Sequence, residues 1–125
     1  MKKIYPLVIT DKMTQTAAFY KDNFGFVAVF EQDWYIQLLH EKSGCELAFM
    51  MPGVESQPPE LHHAFTGKGL VLSLEVEDAE AEWQRLKNAN LDIIVELRDE
   101  PWGQRHFIVA DPAGVYVDVV QQLEG

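Results

Sequence analysis

One order of elements can be read twice along the chain: strand, helix, then three strands. In the first half, residues 4–10 are rich in Ile, Val and Leu and predict a largely buried strand. Met13, Ala17, Tyr20 and Phe24 recur at helical spacing, and Gly25 follows as a stop. Residues 26–31, 34–40 and 45–51 predict three further strands, closed by Pro52-Gly53. In the second half, residues 70–76 alternate, with Leu70, Leu72 and Leu74 on one face and Val71, Ser73 and Glu75 on the other. Asp78 reads as an N-cap with Glu80 and Glu82 in the first turn. Ala79, Trp83, Leu86 and Asn90 share a face, which predicts a helix running to about Asn90. Strands are predicted over residues 91–97, 105–110 and 115–121, the last two joined by the turn Asp111-Pro112-Ala113-Gly114.

A repeat is the first thing to seek in a sequence, because it dictates the architecture. Here each half has one helix for four strands, and one helix covers only one sheet face. The other face must be buried elsewhere or line a cavity. The class is therefore α+β. With 125 residues the chain makes one domain, built of modules at about 1–52 and 69–125. Residues 53–68, holding Pro58 and Pro59, form a long aperiodic connection.

Charge narrows the partners. The net charge is −10, split as −3 over residues 1–62 and −7 over residues 63–125. Phosphate contacts need Lys and Arg, so nucleic acid and anionic membrane surfaces are not expected. Much of the second-half excess sits at Glu77, Asp78, Glu80 and Glu82, at a helix start, where it serves solubility rather than recognition. No apolar run is long enough to span a membrane, and residues 1–6 do not read as a signal peptide, so a cytoplasmic protein is expected. The single cysteine, Cys45, excludes an internal disulfide and reads as a small buried hydrophobe. Ser43, Ser56 and Ser73 lie outside any nucleophile elbow.

Several stretches resemble the vicinal oxygen chelate superfamily, which includes glyoxalase I, extradiol dioxygenases and bleomycin-resistance proteins. They are Thr10-Asp11, residues 19–26 (FYKDNFGF), Glu46-Leu47 and residues 109–118 (VADPAGVYVD), and together they span nearly the whole chain. The resemblance implies two βαβββ modules whose sheets curl around a shared cavity, commonly completed by a homodimer. A narrower likeness lies in Trp102-Gly103-Gln104-Arg105 ahead of the Asp-Pro turn. This run is similar to resistance proteins of the bleomycin and mitomycin type and to quinoxaline-peptide binders. Those proteins bind planar or cationic antibiotics without transforming them. An indole on a loop offers a flat stacking surface, and Arg105 is placed to anchor the loop or bond a ligand carbonyl. The alternative is that Trp102 caps the sheet edge or packs on a partner subunit.

Metal-dependent members of the superfamily take one ligand each from the first, fourth, fifth and eighth strands. Carried over, these positions fall on Tyr5 or Ile4, Glu46, Val71 and Asp118. Only Glu46 and Asp118 are ligands by chemistry, and two carboxylates do not make a tight site for Ni, Zn, Mn or Fe. His106 has the parity to join them. His62-His63, adjacent on an extended segment, point apart and are no chelating pair. No metal or other cofactor is therefore expected. The candidate ligand-binding residues are Trp102, Trp34, Tyr35, Phe30 and Tyr116 for stacking, with Glu46, Glu75, His106, Asp118 and Arg105 as polar partners.

Three readings compete. The first is a non-catalytic protein that binds and sequesters a planar or cationic antibiotic-like molecule. The second is a metal-dependent lyase, isomerase or dioxygenase resting on Glu46, Asp118 and His106. The third is a metabolic or regulatory binding module for an unknown small molecule.

Overall fold

The computed structural model describes residues 1–124 and contains two compact units, Met1–Thr66 and a second beginning at Gly67. Unit 1 comprises β1 (Leu7–Ile9), α1 (Met13–Phe24), β2 (Val27–Glu31), β3 (Tyr35–Leu39) and β4 (Glu46–Met50). A 3-10 turn at Pro59–Leu61 is the regular part of the connection that follows. Unit 2 comprises β5 (Val71–Glu75), α2 (Ala79–Leu86), β6 (Asp92–Glu100), β7 (Gln104–Ala110) and β8 (Tyr116–Gln122). Each unit is thus a βαβββ module with its own four-stranded mixed sheet, in the orders β1-β4-β3-β2 and β5-β8-β7-β6. The first strand of each module runs parallel to the last, and the remaining pairs are antiparallel.

In unit 1 the helix presents Met13, Thr16, Ala17 and Tyr20, all buried. They meet the buried face of Ile36, Leu38, Leu47 and Phe49. Tyr20 stacks on Phe49 with centroids 5.7 Å apart. Gly25 ends α1 at φ 73°, a left-handed conformation that glycine adopts without a Cβ penalty, and its N–H bonds Tyr20 O.

In unit 2 the buried residues include Ala79, Leu86, Phe107, Val109, Val117 and Val119. Trp83 lies tilted on Phe107 at 5.2 Å. Asp78 caps α2, its side chain accepting from Ala81 N. The helix stops at Leu86 rather than near Asn90. Asn90 adopts φ 59°, outside the helical region, and asparagine visits the left-handed region more readily than most residues. The Asp111 turn is a built hairpin. Asp111 accepts from Val115 N at 2.9 Å through Oδ1, and its own N–H bonds Val115 O.

Cys45 departs from expectation and is exposed. Strand β4 begins one residue later, and Cys45 closes the β3–β4 turn with its N–H on Ser43 Oγ. No described helix is long and apolar enough to cross a membrane.

Candidate functional site

Alternation in each sheet separates a helix-covered face from a helix-free face, and the predicted residues distribute between them. In unit 1, β3 and β4 pair Tyr35 with Met50, Gln37 with Ala48 and Leu39 with Glu46 on the helix-free face. Phe30 faces Gln37 across β2–β3, beyond a bulge. The predicted aromatics cluster there: Phe30 lies edge-on to Tyr35 at 5.9 Å, and Trp34 lies tilted to Tyr35 at 5.4 Å. A polar row continues from them. Tyr35 donates its hydroxyl to Gln37 Oε1 at 2.7 Å, and Gln37 Nε2 donates to Glu46 Oε1 at 2.7 Å. The other Glu46 oxygen accepts from Lys3 Nζ. Hydrogen bonds from Lys3 and Gln37 hold the Glu46 carboxyl below its ordinary range. Burial, with Tyr5 and Glu46 alongside, pushes the Tyr35 phenol up to about 12, so it stays a neutral donor.

In unit 2 the helix-free face gathers Glu75, His106, Tyr116 and Asp118, with Trp102 at the β6–β7 turn. Register places Val71 opposite Tyr116, Ser73 opposite Asp118 and Ile108 opposite Asp118. His106 is the centre of this face. It is 6% exposed, its Nδ1 lies 2.8 Å from Asp118 Oδ1, and its Nε2 lies 2.8 Å from Glu100 Oε2. Arg98 bonds the same Glu100 oxygen at 2.7 Å. Burial by itself pushes the imidazole pKa down, but hydrogen bonds and charge from Glu100 and Asp118 outweigh it and hold the pKa above the ordinary value. The ring thus sits between the carboxylates of Glu100 and Asp118.

Stability follows from this arrangement with a definite sign. A histidine whose folded pKa is raised stabilises the fold fully below its unfolded value, near 6.5. That contribution is lost as pH rises through the folded value. Urea denaturation from about pH 6 to pH 9 is expected to show stability declining over this window. His106→Gln is expected to flatten the slope, and an unchanged slope in that variant would place the titration elsewhere.

Arg105 stands apart from the other predicted residues. It is on the helix-covered face of β7, opposite Gln121, whose side chain accepts from Ala79 N at the start of α2. There it pairs with Asp99 at 2.6 Å and 3.0 Å. Its role is to tie β6 to β7. Several participants were not anticipated: Lys3 and Gln37 around Glu46, and Glu100, Arg98, Gln104 and Gln122 in unit 2. Glu100 has the strand parity of Arg98, directly opposite His106, but two bulges in β6 hide that parity from simple alternation.

The donor chemistry does not fit the metal-dependent members. Both Glu46 oxygens serve internal bonds, and both His106 nitrogens face carboxylates. Val71 and Ile4 have no donor side chain. Among the described residues, no group of three or more His, Cys, Asp and Glu stands where it could hold a metal ion.

Comparison with known proteins gives these arrangements a context. An uncharacterized protein of Mycobacterium bovis is 40% identical over 48 residues, a segment covering 38% of this chain and 32% of that protein. The chain therefore matches about a third of the length of that relative. Among solved structures, a glyoxalase/bleomycin resistance protein/dioxygenase from Nocardioides superposes with a TM-score of 0.80 at 18% identity, covering 100% of this chain and 86% of that one. TnmS3, an antibiotic binding protein from Streptomyces sp. CB03234, superposes at 0.71 with 20% identity, covering 98% and 97%. A lactoylglutathione lyase from Agrobacterium tumefaciens superposes at 0.74 with 20% identity, covering 97% and 94%. Binder and enzyme share the fold, so the fold alone does not choose between them. The family match runs over residues 4–119, through both modules and through the Asp111 hairpin that closes the second. The chain belongs to the glyoxalase/bleomycin resistance protein/dioxygenase superfamily.

Proposed function

We propose that this protein binds and sequesters a planar, antibiotic-like small molecule without transforming it. The observation that carries the proposal is an indole left 67% exposed at Trp102. Glu46 is matched by Lys3, and Asp118 by His106. The unit 2 face offers stacking surface and fixed dipoles. It does not offer a free carboxylate pair for a metal or a strong cation, so flatness weighs more than positive charge in choosing the ligand.

Isothermal titration tests the reading, using a neutral planar compound of the mitomycin type and a cationic compound of the bleomycin type. Saturable binding with recovery of the unchanged compound is expected. Absence of heat across a broad panel of planar drugs would count against it. So would stoichiometric Ni, Zn, Mn or Fe in protein purified without chelator, lost in Glu46→Ala, because the metal-dependent reading would then stand.

A further inference from the structure

Four side chains on the helix-free face of unit 2 form an unbranched row of hydrogen bonds. Trp102 Nε1 donates to Gln104 Oε1 at 2.7 Å. Gln104 Nε2 donates to Gln122 Oε1 at 3.3 Å, and Gln122 Nε2 donates to Glu75 Oε1 at 3.0 Å. The strand order β5-β8-β7-β6 means that the row crosses the sheet from the β6–β7 turn to the opposite edge. Register makes this natural. Gln104 lies directly opposite Gln122, and Glu75 lies opposite Val120, two residues before Gln122 on the same face.

The chemistry of the two ends sets the direction of the row. An indole N–H only donates, and an ionised carboxylate only accepts. Each amide between them therefore has one orientation that satisfies both neighbours. Turning Gln122 over would set its nitrogen against the Gln104 nitrogen and its oxygen against Glu75. The backbone of the turn is held as well. Pro101 occupies the second turn position, Gly103 N bonds Glu100 O at 3.1 Å, and Leu123 N bonds Gly103 O at 2.8 Å.

An exposed side chain used for binding normally loses rotamer freedom when the ligand arrives, which lowers affinity. A ring already held in place avoids that loss. We infer that Gln104 and Gln122 are positioning residues that hold the Trp102 ring for a stacked planar ligand, with Glu75 as the fixed end of the row. The inference rests on the stacking reading of Trp102 above. It gives Glu75 a role different from that of a counter-charge for the ligand.

The test follows the Trp102 indole in protein labelled with 15N-tryptophan. The chain has three tryptophans, so Trp102→Phe identifies the resonance. Gln122→Leu makes no change at the indole itself. It is expected to shift the Trp102 Nε1–H resonance and to increase its fast motion, and Glu75→Leu is expected to do the same. Glu75→Gln keeps an acceptor oxygen and is expected to remain like wild type. With mitomycin C as the probe, Gln122→Leu should weaken binding about three- to ten-fold, the scale of one neutral hydrogen bond. An unchanged resonance and unchanged affinity in both Leu variants, with affinity lost in Trp102→Ala, would overturn the row alone. Unchanged affinity in Trp102→Ala would overturn the stacking reading itself, and with it the purpose assigned to the row.

Discussion

Trp102→Ala is expected to lower affinity for a planar drug by about 30-fold or more, the scale of a central aromatic contact. The same change should leave the urea midpoint almost unmoved. Trp102 is 67% exposed and sits on a turn, so deleting the ring opens no cavity. The turn backbone is closed by main-chain bonds that survive the substitution. The other tryptophans provide contrast. Trp83 packs on the fully buried Phe107, so Trp83→Ala should reduce stability and leave any direct ligand contact intact. Trp34 lies against Tyr35 and is 37% exposed, intermediate between the two. Titration calorimetry and urea denaturation on these two variants separate the roles. If Trp102→Ala loses stability instead of affinity, the indole is a packing residue.

Phe49→Ala should have the largest effect on stability, a loss of about 3–5 kcal/mol. Phe49 is 0% exposed and lies on β4, an interior strand of its sheet. It stacks on Tyr20 of the helix and pairs across strands with Ile36 and Val8. Removing the ring leaves a void between helix and sheet that neighbours on two rigid elements cannot close. A domain of this size is stable by only about 5–15 kcal/mol, so the variant comes near to unfolding. Phe49→Leu keeps most of the volume and should lose less than about 1.5 kcal/mol. Urea denaturation of both variants checks the pair. Equal losses would show that the ring stack on Tyr20, rather than the filled volume, holds α1 to its sheet.

The glyoxalase-type fold was largely legible because its signals are local. Helical spacing marked α1, strand parity sorted Leu72 and Leu74 from Ser73 and Glu75, and Asp111-Pro112-Ala113-Gly114 announced its own turn. The same parity already separates Arg105 from His106. Grouping both with the ligand residues ran against it, and the pairing of Arg105 with Asp99 on the helix-covered face follows the parity. Cys45 and the end of α2 were misjudged where one residue decides the boundary. Cys45 precedes its strand, and Asn90 turns left-handed after the helix.

The sequence by itself determined the doubled βαβββ order, the class of the fold and, in strands without bulges, the face on which a residue stands. Those depend on periods of two and 3.6 residues, which neighbours along the chain reveal. Only the tertiary structure decided which partners each polar group meets. Lys3 reaches Glu46 across 43 positions, and Gln122 reaches Glu75 across 47. His106 finds Glu100 on one side and Asp118 on the other. Periodicity tells which way a side chain points, but strand register decides what it points at. That register set Glu46 against Lys3 in unit 1 and Asp118 against His106 in unit 2, and left the Trp102 indole exposed.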